Sequence, residues 1–279
     1  MSGSVRPSRL ISFVAALVLS GAAALAAPQR VVSLNVCTDQ MAMLLSGPGQ
    51  LMAVSKLASD PRTSAMAEQA EGWPVTDGSA EDVFLRTPDL VLAGTYTTRA
   101  TVEMLERLGV RVERFAPANS LADVRDNLAR MGALLGREVA ATALIAAFDA
   151  RLAALTETPD TPPRVVMYQA LGTTTGADTL AGDVLRAAGF RNIAAELGLP
   201  FGGRLHLEEL LLAQPDLILI GAPYGGHARA TELLDHPALA ATGALRRIDD
   251  GAKWTCETHY ILDAVAQMRA LRLEWEAAQ

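Results

Sequence analysis

The sequence predicts an α/β protein in which two Rossmann-like α/β lobes are joined by one long helix. The phrase LRTPDLVLAG at residues 85–94 returns as LAQPDLILIG at residues 212–221. Pro88 and Pro215 are 215 − 88 = 127 residues apart, and a long helical pattern lies between them. On both sides of that pattern, short apolar runs alternate with helical stretches, which is typical of parallel α/β units.

The first lobe is predicted at residues 27–119. Its strand candidates are RVVSL at 30–34, LMAV at 51–54 and the apolar runs at 89–93 and 110–115. Helix patterns at 41–45 and 101–108 lie between them, and the second helix ends at Gly109. This order of strands and helices predicts a parallel sheet.

Residues 120–157 are predicted to form the connecting helix. Ser120 with Asp123 resembles a capping box at its start. Apolar residues then recur at steps of mostly three, four or seven, which places them on one buried face. Gly132 and Gly136 are expected to bend or break the helix before it ends at the segment TPDTPPR.

The second lobe is predicted at residues 158–279. Its strand candidates are at 165–168, 217–220 and 245–248, and a helix is expected at 180–188. Residues 233–241 are helical or irregular, and a closing helix is predicted at 258–278.

The repeated phrase has a local physical explanation. Proline ends the preceding helix and favours an extended neighbour, aspartate binds backbone amides in the turn, and the apolar run enters a sheet covered on both faces. The match continues upstream, because Glu81 and Glu208 each lie seven residues before the proline. Two lobes of the same plan are therefore expected.

The N-terminus has the pattern of a secretory signal at residues 1–26. Arg6 and Arg9 precede the apolar segment LISFVAALVL, and a small-residue stretch follows. Cleavage is expected after Ala26, because Ala24-Leu25-Ala26 fits the small-x-small cleavage pattern. The apolar core is too short to cross a bilayer, which argues against a membrane anchor. No cysteine lies at the cleavage site, so no lipid anchor is expected. The mature protein is predicted to be exported to the periplasm.

Composition and motifs exclude several functions. The net charge is −7 without a basic patch, which argues against nucleic-acid binding. The sequence contains no GxSxG, HExxH or P-loop motif, so no enzyme is predicted.

The order and spacing of several segments resemble the periplasmic substrate-binding proteins of ABC importers for iron complexes and cobalamin. The segments are RVVSLNVCTDQ, EDVFLRTPDLVLAG, GDVLRAAGFRNIAAELG, HLEELLLAQPDLILIG and WTCETHYILDAV. The resemblance implies that a ferric siderophore, haem or cobalamin-type corrinoid is held in a cleft between the lobes, with little closure. It also implies a monomer without an intrinsic cofactor that docks on a dimeric permease through Glu81 and Glu208. Solvated glutamates are the alternative for these two residues.

Ligand contacts are expected in loops that follow the carboxyl ends of the strands. Aromatic side chains there suit a flat chelate, and arginine suits a carboxylate. The predicted ligand-binding residues are Asn35, Cys37, Asp39, Lys56, Thr95, Tyr96, Arg204, Tyr224, His227, Trp254, Cys256 and His259.

The two cysteines, Cys37 and Cys256, have three interpretations. They contact the ligand or a metal, they form a disulfide across the lobes, or they are inert thiols. Export permits a disulfide. Cleft-lining thiols are nevertheless preferred, because a disulfide needs the two Cα atoms within about 7 Å across a ligand-sized gap. The alternative function is an exported metal-binding protein or metalloenzyme that uses Cys37, Cys256 and His259, although direct metal ligation is not the preferred prediction.

Overall fold

The first lobe is built around a parallel sheet with the strand order β3-β2-β1-β4-β5. The computed structural model of this chain describes residues 26–222 and 228–279. The strands of this sheet are β1 Val31–Ser33, β2 Leu51–Ser55, β3 Val75–Thr76, β4 Leu90–Gly94 and β5 Val112–Phe115. The helices between them are α1 Val36–Leu45, α2 Ala67–Ala70, α3 Ala80–Leu85 and α4 Arg99–Arg107, and a 3₁₀ turn spans Lys56–Ser59.

The predicted connection between the lobes consists of two helices, α5 Leu121–Leu135 and α6 Glu138–Leu155. The capping box of Ser120 and Asp123 is present. Gly136 ends α5 with a left-handed backbone, φ 67°, which glycine adopts without steric cost. Gly132 remains inside α5, where a Cβ atom would lie 2.3 Å from the Cβ of Ala141. One glycine therefore breaks the helix, and the other lets its two parts pack closely.

The second lobe is built around a mixed sheet with the strand order β11-β10-β6-β7-β9, and β8 also pairs with β6. The strands are β6 Arg164–Gln169, β7 Thr173–Thr174, β8 Arg191–Asn192, β9 Gly203–Arg204, β10 Leu217–Gly221 and β11 Leu245–Ile248. The helices are α7 Leu180–Ala187, α8 Leu207–Ala213, α9 Pro237–Ala241, α10 Ala252–Thr255 and α11 Ile261–Glu276, with 3₁₀ segments at Ala170–Gly172 and Arg229–Asp235. β7 is antiparallel to β6 and β9, which the sequence did not predict.

Alternating side chains divide the core into shared and local parts. In β1, Val31 belongs to a cluster that extends through both lobes, whereas Val32 belongs to a cluster of the first lobe. In β10, Leu217 enters the shared cluster and Ile218 a cluster of the second lobe. Because strand side chains alternate between faces, one face of each sheet packs on the connecting helices and the other on its own lobe. A continuous apolar core thus joins the lobes.

No helix in residues 26–222 and 228–279 is long and apolar enough to span a bilayer. The expected cleavage site after Ala26 lies at the start of the described residues, and the preceding segment lies outside them.

Candidate functional site: a cleft between the lobes

The two lobes are covalently joined beside the predicted cleft. Cys37, in the first turn of α1, forms a disulfide with Cys256, which follows α10, and their Cα atoms are 4.9 Å apart. The preference for cleft-lining thiols is therefore wrong. It assumed that a ligand-sized gap separates the two cysteines, whereas the lobes touch at this point and open beside it.

A buried carboxylate reinforces the same junction. Glu257 follows Cys256 and is 6% exposed, and it accepts a hydrogen bond from the backbone N–H of Ala118 at 3.1 Å. The amide of Asn127 donates to its other oxygen at 3.4 Å. Burial raises the pKa of Glu257, although the Ala118 N–H group opposes that shift. The disulfide and the hydrogen bonds of Glu257 thus connect the two lobes at the same junction.

A pocket of about 700 Å³ lies between the lobes. The first lobe contributes residues from Pro61 to Gln69, beyond the carboxyl end of β2, and the second lobe contributes residues that follow β10 and β11. The lining residues are Pro61, Arg62, Ser64, Ala65, Ala67, Glu68, Gln69, Ala222, Asp249, Asp250, Gly251, Ala252, Lys253, Tyr260 and Asp263. The position agrees with the rule that ligands bind at the carboxyl ends of strands, and the volume is in the usual range for small-molecule sites.

Asp250 lines this pocket on the side of the second lobe and packs against the end of β10. A Cβ atom at Gly221, the last residue of β10, would lie 2.2 Å from Oδ2 of Asp250. Burial raises the pKa of Asp250, and backbone N–H groups, including that of Ala222, oppose the shift. A ligand that donates a hydrogen bond to this carboxylate would favour its charged form.

The cations of the pocket already have carboxylate partners. Lys253 lies 3.3 Å from Asp263, which Arg151 of α6 also binds at 2.5 Å. Arg62 forms a two-bond contact with Asp60, at 3.1 and 2.7 Å. These hydrogen bonds lower the pKa of Asp60 to about 2. The acidic groups Glu68, Asp249 and Asp250 therefore dominate the charge that the pocket presents.

Two predicted residues of the first lobe have structural partners. Asn35 is the N-cap of α1, and its Oδ1 atom accepts from the backbone N–H of Cys37 at 3.0 Å. Asp39 has no exposed surface, and it accepts hydrogen bonds from the backbone N–H and hydroxyl of Ser55 at 3.1 and 2.5 Å. Burial raises the pKa of Asp39 to about 6, and the serine hydroxyls oppose that shift. Asp39 thus has no surface for direct ligand contact; it supports the end of β2.

The other predicted residues of the first lobe are exposed at strand ends. Lys56 follows β2, and Thr95 and Tyr96 follow β4. The Tyr96 side chain is 86% exposed, so its ring is free to stack on a ligand. Because β1 lies between β2 and β4, these residues share one edge with Asn35. None of them lines the 700 Å³ pocket, so their ligand contacts remain predictions.

The predicted residues of the second lobe are dispersed. Arg204 is exposed in β9, opposite Thr173. Trp254 is half-buried in α10 and packs against the shared core, so it is less open than predicted. His259 is half-buried beside Tyr260, and the centres of the two rings are 4.1 Å apart. Burial, and to a smaller extent the positive charge of Arg151, lowers the pKa of His259. Tyr224 and His227 lie outside the described residues.

The fold agrees with the comparisons to known proteins. A family model described as a periplasmic binding protein matches residues 31–247. The chain belongs to the periplasmic binding protein family. A heme-binding periplasmic protein of Pseudomonas aeruginosa is 25% identical, with a TM-score of 0.66 over 88% of this chain and 92% of that one. The predicted two-lobed α/β fold is confirmed.

Two curated relatives carry ligand names. A cobalamin-binding protein of Halobacterium salinarum is 32% identical over 199 residues, which are 70% of this chain and 54% of that protein. The chain thus spans about half the length of this relative. A vitamin B12-binding protein of Photorhabdus laumondii is 26% identical over 223 residues, which are 77% of this chain and 78% of that protein.

Membership in the binding-protein family confirms that the chain is not an enzyme and removes the alternative of a metalloenzyme. The disulfide also leaves no thiolate of Cys37 or Cys256 to bind a metal. No group of three or more metal-binding side chains occurs within the part of the binding protein that the structure describes.

The two glutamates predicted to dock on a permease occupy equivalent positions in the binding protein. Glu81 lies in the first turn of α3 and Glu208 in the first turn of α8, and both are exposed. The helix α3 is followed by Pro88 and β4, and α8 is followed by Pro215 and β10.

Sequence reasoning missed Asp249 and Asp250 of the binding protein. They follow β11 directly in the segment RRIDDG, so the strand-end rule selects them. The prediction instead placed the contacts of this region a few residues later, at Trp254, Cys256 and His259. Arg62 and Tyr260 had no comparable signal.

Proposed function

We propose that this chain captures a metal chelate between its lobes and delivers it to an ABC permease in the membrane, and that the chelate is a corrinoid of the cobalamin type. The main observation in favour of a corrinoid is the acidic lining of the interlobe pocket. Carboxylates outnumber cations among the described lining residues, which include Glu68, Asp249, Asp250, Asp263, Arg62 and Lys253.

The chemistry of the chelate edge distinguishes the candidates. A corrin ring is surrounded by amide side chains, whose N–H groups donate to carboxylates. Haem carries two propionates, which would place like charges beside Asp249 and Asp250. A carboxylate in a partly buried site is costly without a donor, so an amide-bearing ligand is favoured. Anionic ferric siderophores meet the same repulsion as haem.

The two curated relatives support this choice, since one is a cobalamin-binding protein and the other a vitamin B12-binding protein. The heme-binding protein of Pseudomonas aeruginosa shows that the same fold also serves haem. The fold alone therefore does not select the ligand, and the residues at the pocket edge must do so.

Delivery requires a partner in the membrane. We assign docking to Glu81 and Glu208, which two equivalent subunits of a permease would contact through basic side chains. Such contacts steer association and weaken as salt screens the charges. The protein acts in the periplasm as a monomer after removal of the signal at Ala26. It carries no cofactor of its own, and the chelate is its cargo.

A thermal-shift panel tests the ligand class. The mature protein is heated with cyanocobalamin, cobinamide, haemin or a ferric siderophore. A ligand present at a hundred times its dissociation constant adds about 2.7 kcal/mol, which corresponds to a rise in Tm of about 5–10 °C. We expect this rise with the two corrinoids. A rise with haemin alone would reject the corrinoid, and no rise with any ligand would reject the chelate.

Charge reversal tests the docking assignment. Glu81→Lys and Glu208→Lys are expected to reduce uptake of radiolabelled cyanocobalamin by cells while leaving its affinity for the purified protein unchanged. Glu274→Lys, an exposed site on α11, is the matched control. Uptake equal to that of the control would reject docking through these glutamates.

A further inference from the structure

The repeat places an exposed leucine at the same position of each lobe. Leu85 and Leu212 are 212 − 85 = 127 residues apart, the same offset as the two prolines. Their side chains are 73% and 83% exposed. Leucine is among the residues most often buried, so exposure at both copies of one position is a feature that needs a cause.

Each leucine shares a helix face with the glutamate assigned to docking. Glu81 and Leu85 are four residues apart on α3, and Glu208 and Leu212 are four apart on α8. Residues at this spacing are neighbours on one face of a helix. The structure thus presents a carboxylate and an isobutyl group side by side on each lobe.

The rest of each helix explains why this face turns outward. Val83 of α3 and Leu210 of α8 occupy equivalent positions and have no exposed surface. Each anchors its helix to the sheet, so the residues two positions before and after it point away from the core. The exposure of Leu85 and Leu212 follows from this anchoring in both lobes.

We propose that Leu85 and Leu212 are apolar anchors that two equivalent permease subunits contact beside the charge pairs of Glu81 and Glu208. This inference rests on the proposed delivery to a permease. Each subunit would offer a basic group and, about one helical turn away, an apolar recess. The charges would steer the encounter, and burial of the two leucines would slow dissociation.

A second copy of this chain fits the two faces less well. The first turns of α3 and α8 hold two carboxylates each, with Asp82 beside Glu81 and Glu209 beside Glu208. Pairing these faces between copies would bring acidic groups together in a chain whose net charge is −7. The charge therefore favours a basic partner.

The first lobe offers the larger apolar contact. Phe84, which precedes Leu85 in the sequence, and Leu108 are 43% and 46% exposed, and both line a pocket of about 340 Å³. In the second lobe, Leu211, which is equivalent to Phe84, is half-buried. We therefore expect Leu85 to contribute at least as much to docking as Leu212.

The test measures docking without any chelate. Fluorescently labelled protein is bound to inner-membrane vesicles of the native organism, and specific binding is defined by competition with unlabelled wild type. The variants are Leu85→Gln, Leu212→Gln, the double variant, and Val139→Gln as the control. Val139 is an 87% exposed apolar residue on α6, away from both docking helices.

We expect each leucine variant to lower the vesicle affinity about fivefold, and the double variant about 25-fold if the sites are independent. Val139→Gln should leave it unchanged, and all variants should keep the wild-type Tm because the altered side chains are exposed. Vesicle affinity of the double variant equal to that of the control would overturn the inference.

The outcomes separate this inference from the proposed function. Loss of vesicle binding by Glu81→Lys with Glu208→Lys, but not by the leucine variants, rejects the apolar anchors and keeps the permease. Absence of competition-sensitive binding by the wild type rejects both. Specific vesicle binding by a protein that binds no chelate rejects the ligand class and keeps the anchors.

Discussion

The two lobes use the same corner to begin the strands β4 and β10. Before β4, the carboxylate of Asp89 accepts hydrogen bonds from the backbone N–H groups of Gln29 and Arg30 at 2.7 and 3.0 Å. Before β10, Asp216 accepts one from the backbone N–H of Arg164 at 2.7 Å. The Pro-Asp phrase therefore ties β4 to the neighbouring strand β1 and β10 to the neighbouring strand β6.

An arginine completes each corner. The guanidinium of Arg30 donates to the carbonyl of Thr87 at 2.8 Å, and that of Arg164 donates to the carbonyl of Gln214 at 3.0 Å. Thr87 and Gln214 have φ values of 49° and 47°, a left-handed backbone that is rare outside glycine. The same strained residue is held by the same partner in both lobes.

The carboxyl ends of the same strands differ. A Cβ atom at Gly94, the end of β4, would lie 2.8 Å from the side-chain amide of Asn35, whereas at Gly221, the end of β10, it would meet the carboxylate of Asp250. Asn35 is occupied with capping α1, and Asp250 lines the pocket. The amino edge thus holds the common scaffold, and the carboxyl edge holds the residues that distinguish the lobes.

The largest expected effect concerns the junction where the two lobes meet. The free energy of unfolding of the Cys37→Ser, Cys256→Ser double variant should be about 3–5 kcal/mol lower than that of the wild type, because the disulfide joins residues that are 219 positions apart in the sequence. Urea denaturation of both proteins measures the difference, and added reductant should affect the wild type alone. Equal stability without reductant would show that the disulfide does not form.

The second prediction concerns Asp39, the buried acid of the first lobe. Its pKa is about 6 in the folded protein and 3.8 ordinarily, so the folded state binds the proton more tightly. The stabilisation is complete below pH 3.8 and is lost as the pH rises through about 6. The difference between these two pKa values corresponds to about 2–3 kcal/mol of the free energy of unfolding.

Asp39→Asn tests this pH dependence. From pH 5 to pH 8, the wild type should lose free energy of unfolding relative to the variant, and the shared titration of other groups cancels in the comparison. Parallel stability curves for the two proteins would contradict the raised pKa.

The third prediction compares the two corners. Asp89→Ala should cost about 2 kcal/mol and Asp216→Ala about 1 kcal/mol, because the first carboxylate accepts two backbone hydrogen bonds and the second accepts one. Chemical denaturation gives both values. A larger loss of stability from Asp216→Ala than from Asp89→Ala would show that the number of backbone hydrogen bonds does not set the stabilisation at these corners.

The smallest expected effect concerns the strained residues. Thr87→Gly should stabilise the protein by about 0.5–1 kcal/mol, since glycine adopts a positive φ without steric cost. Gln214→Gly should gain less, because glutamine is not β-branched. The free energies of unfolding of the two variants check this order, and destabilisation by both would show that the left-handed backbone is not strained.

The sequence allowed the scaffold to be predicted better than the site. The Pro-Asp phrases and apolar runs are local signals, so they predicted β4, β10 and the two-lobed plan. The two-residue strands β7, β8 and β9 have no periodicity to recognise. The Cys37–Cys256 disulfide could not be predicted in this way, because it depends on where the two lobes contact each other and where they are separated by the pocket. That arrangement is set by the packing of the lobes and has no local sequence signal. Asp250 was missed although its position after β11 was readable.

The most direct test of this account is a calorimetric titration of cyanocobalamin and haemin into the wild type, Asp250→Asn and Asp216→Ala. We predict that the wild type binds cyanocobalamin at least tenfold more tightly than haemin, a difference of about 1.4 kcal/mol in binding free energy. Asp250→Asn should lose about tenfold of the cyanocobalamin affinity, and Asp216→Ala should retain it despite lower stability. Tighter binding of haemin by the wild type, or equal cyanocobalamin affinity of Asp250→Asn and wild type, would contradict an acidic carboxyl edge that selects an amide-bearing chelate.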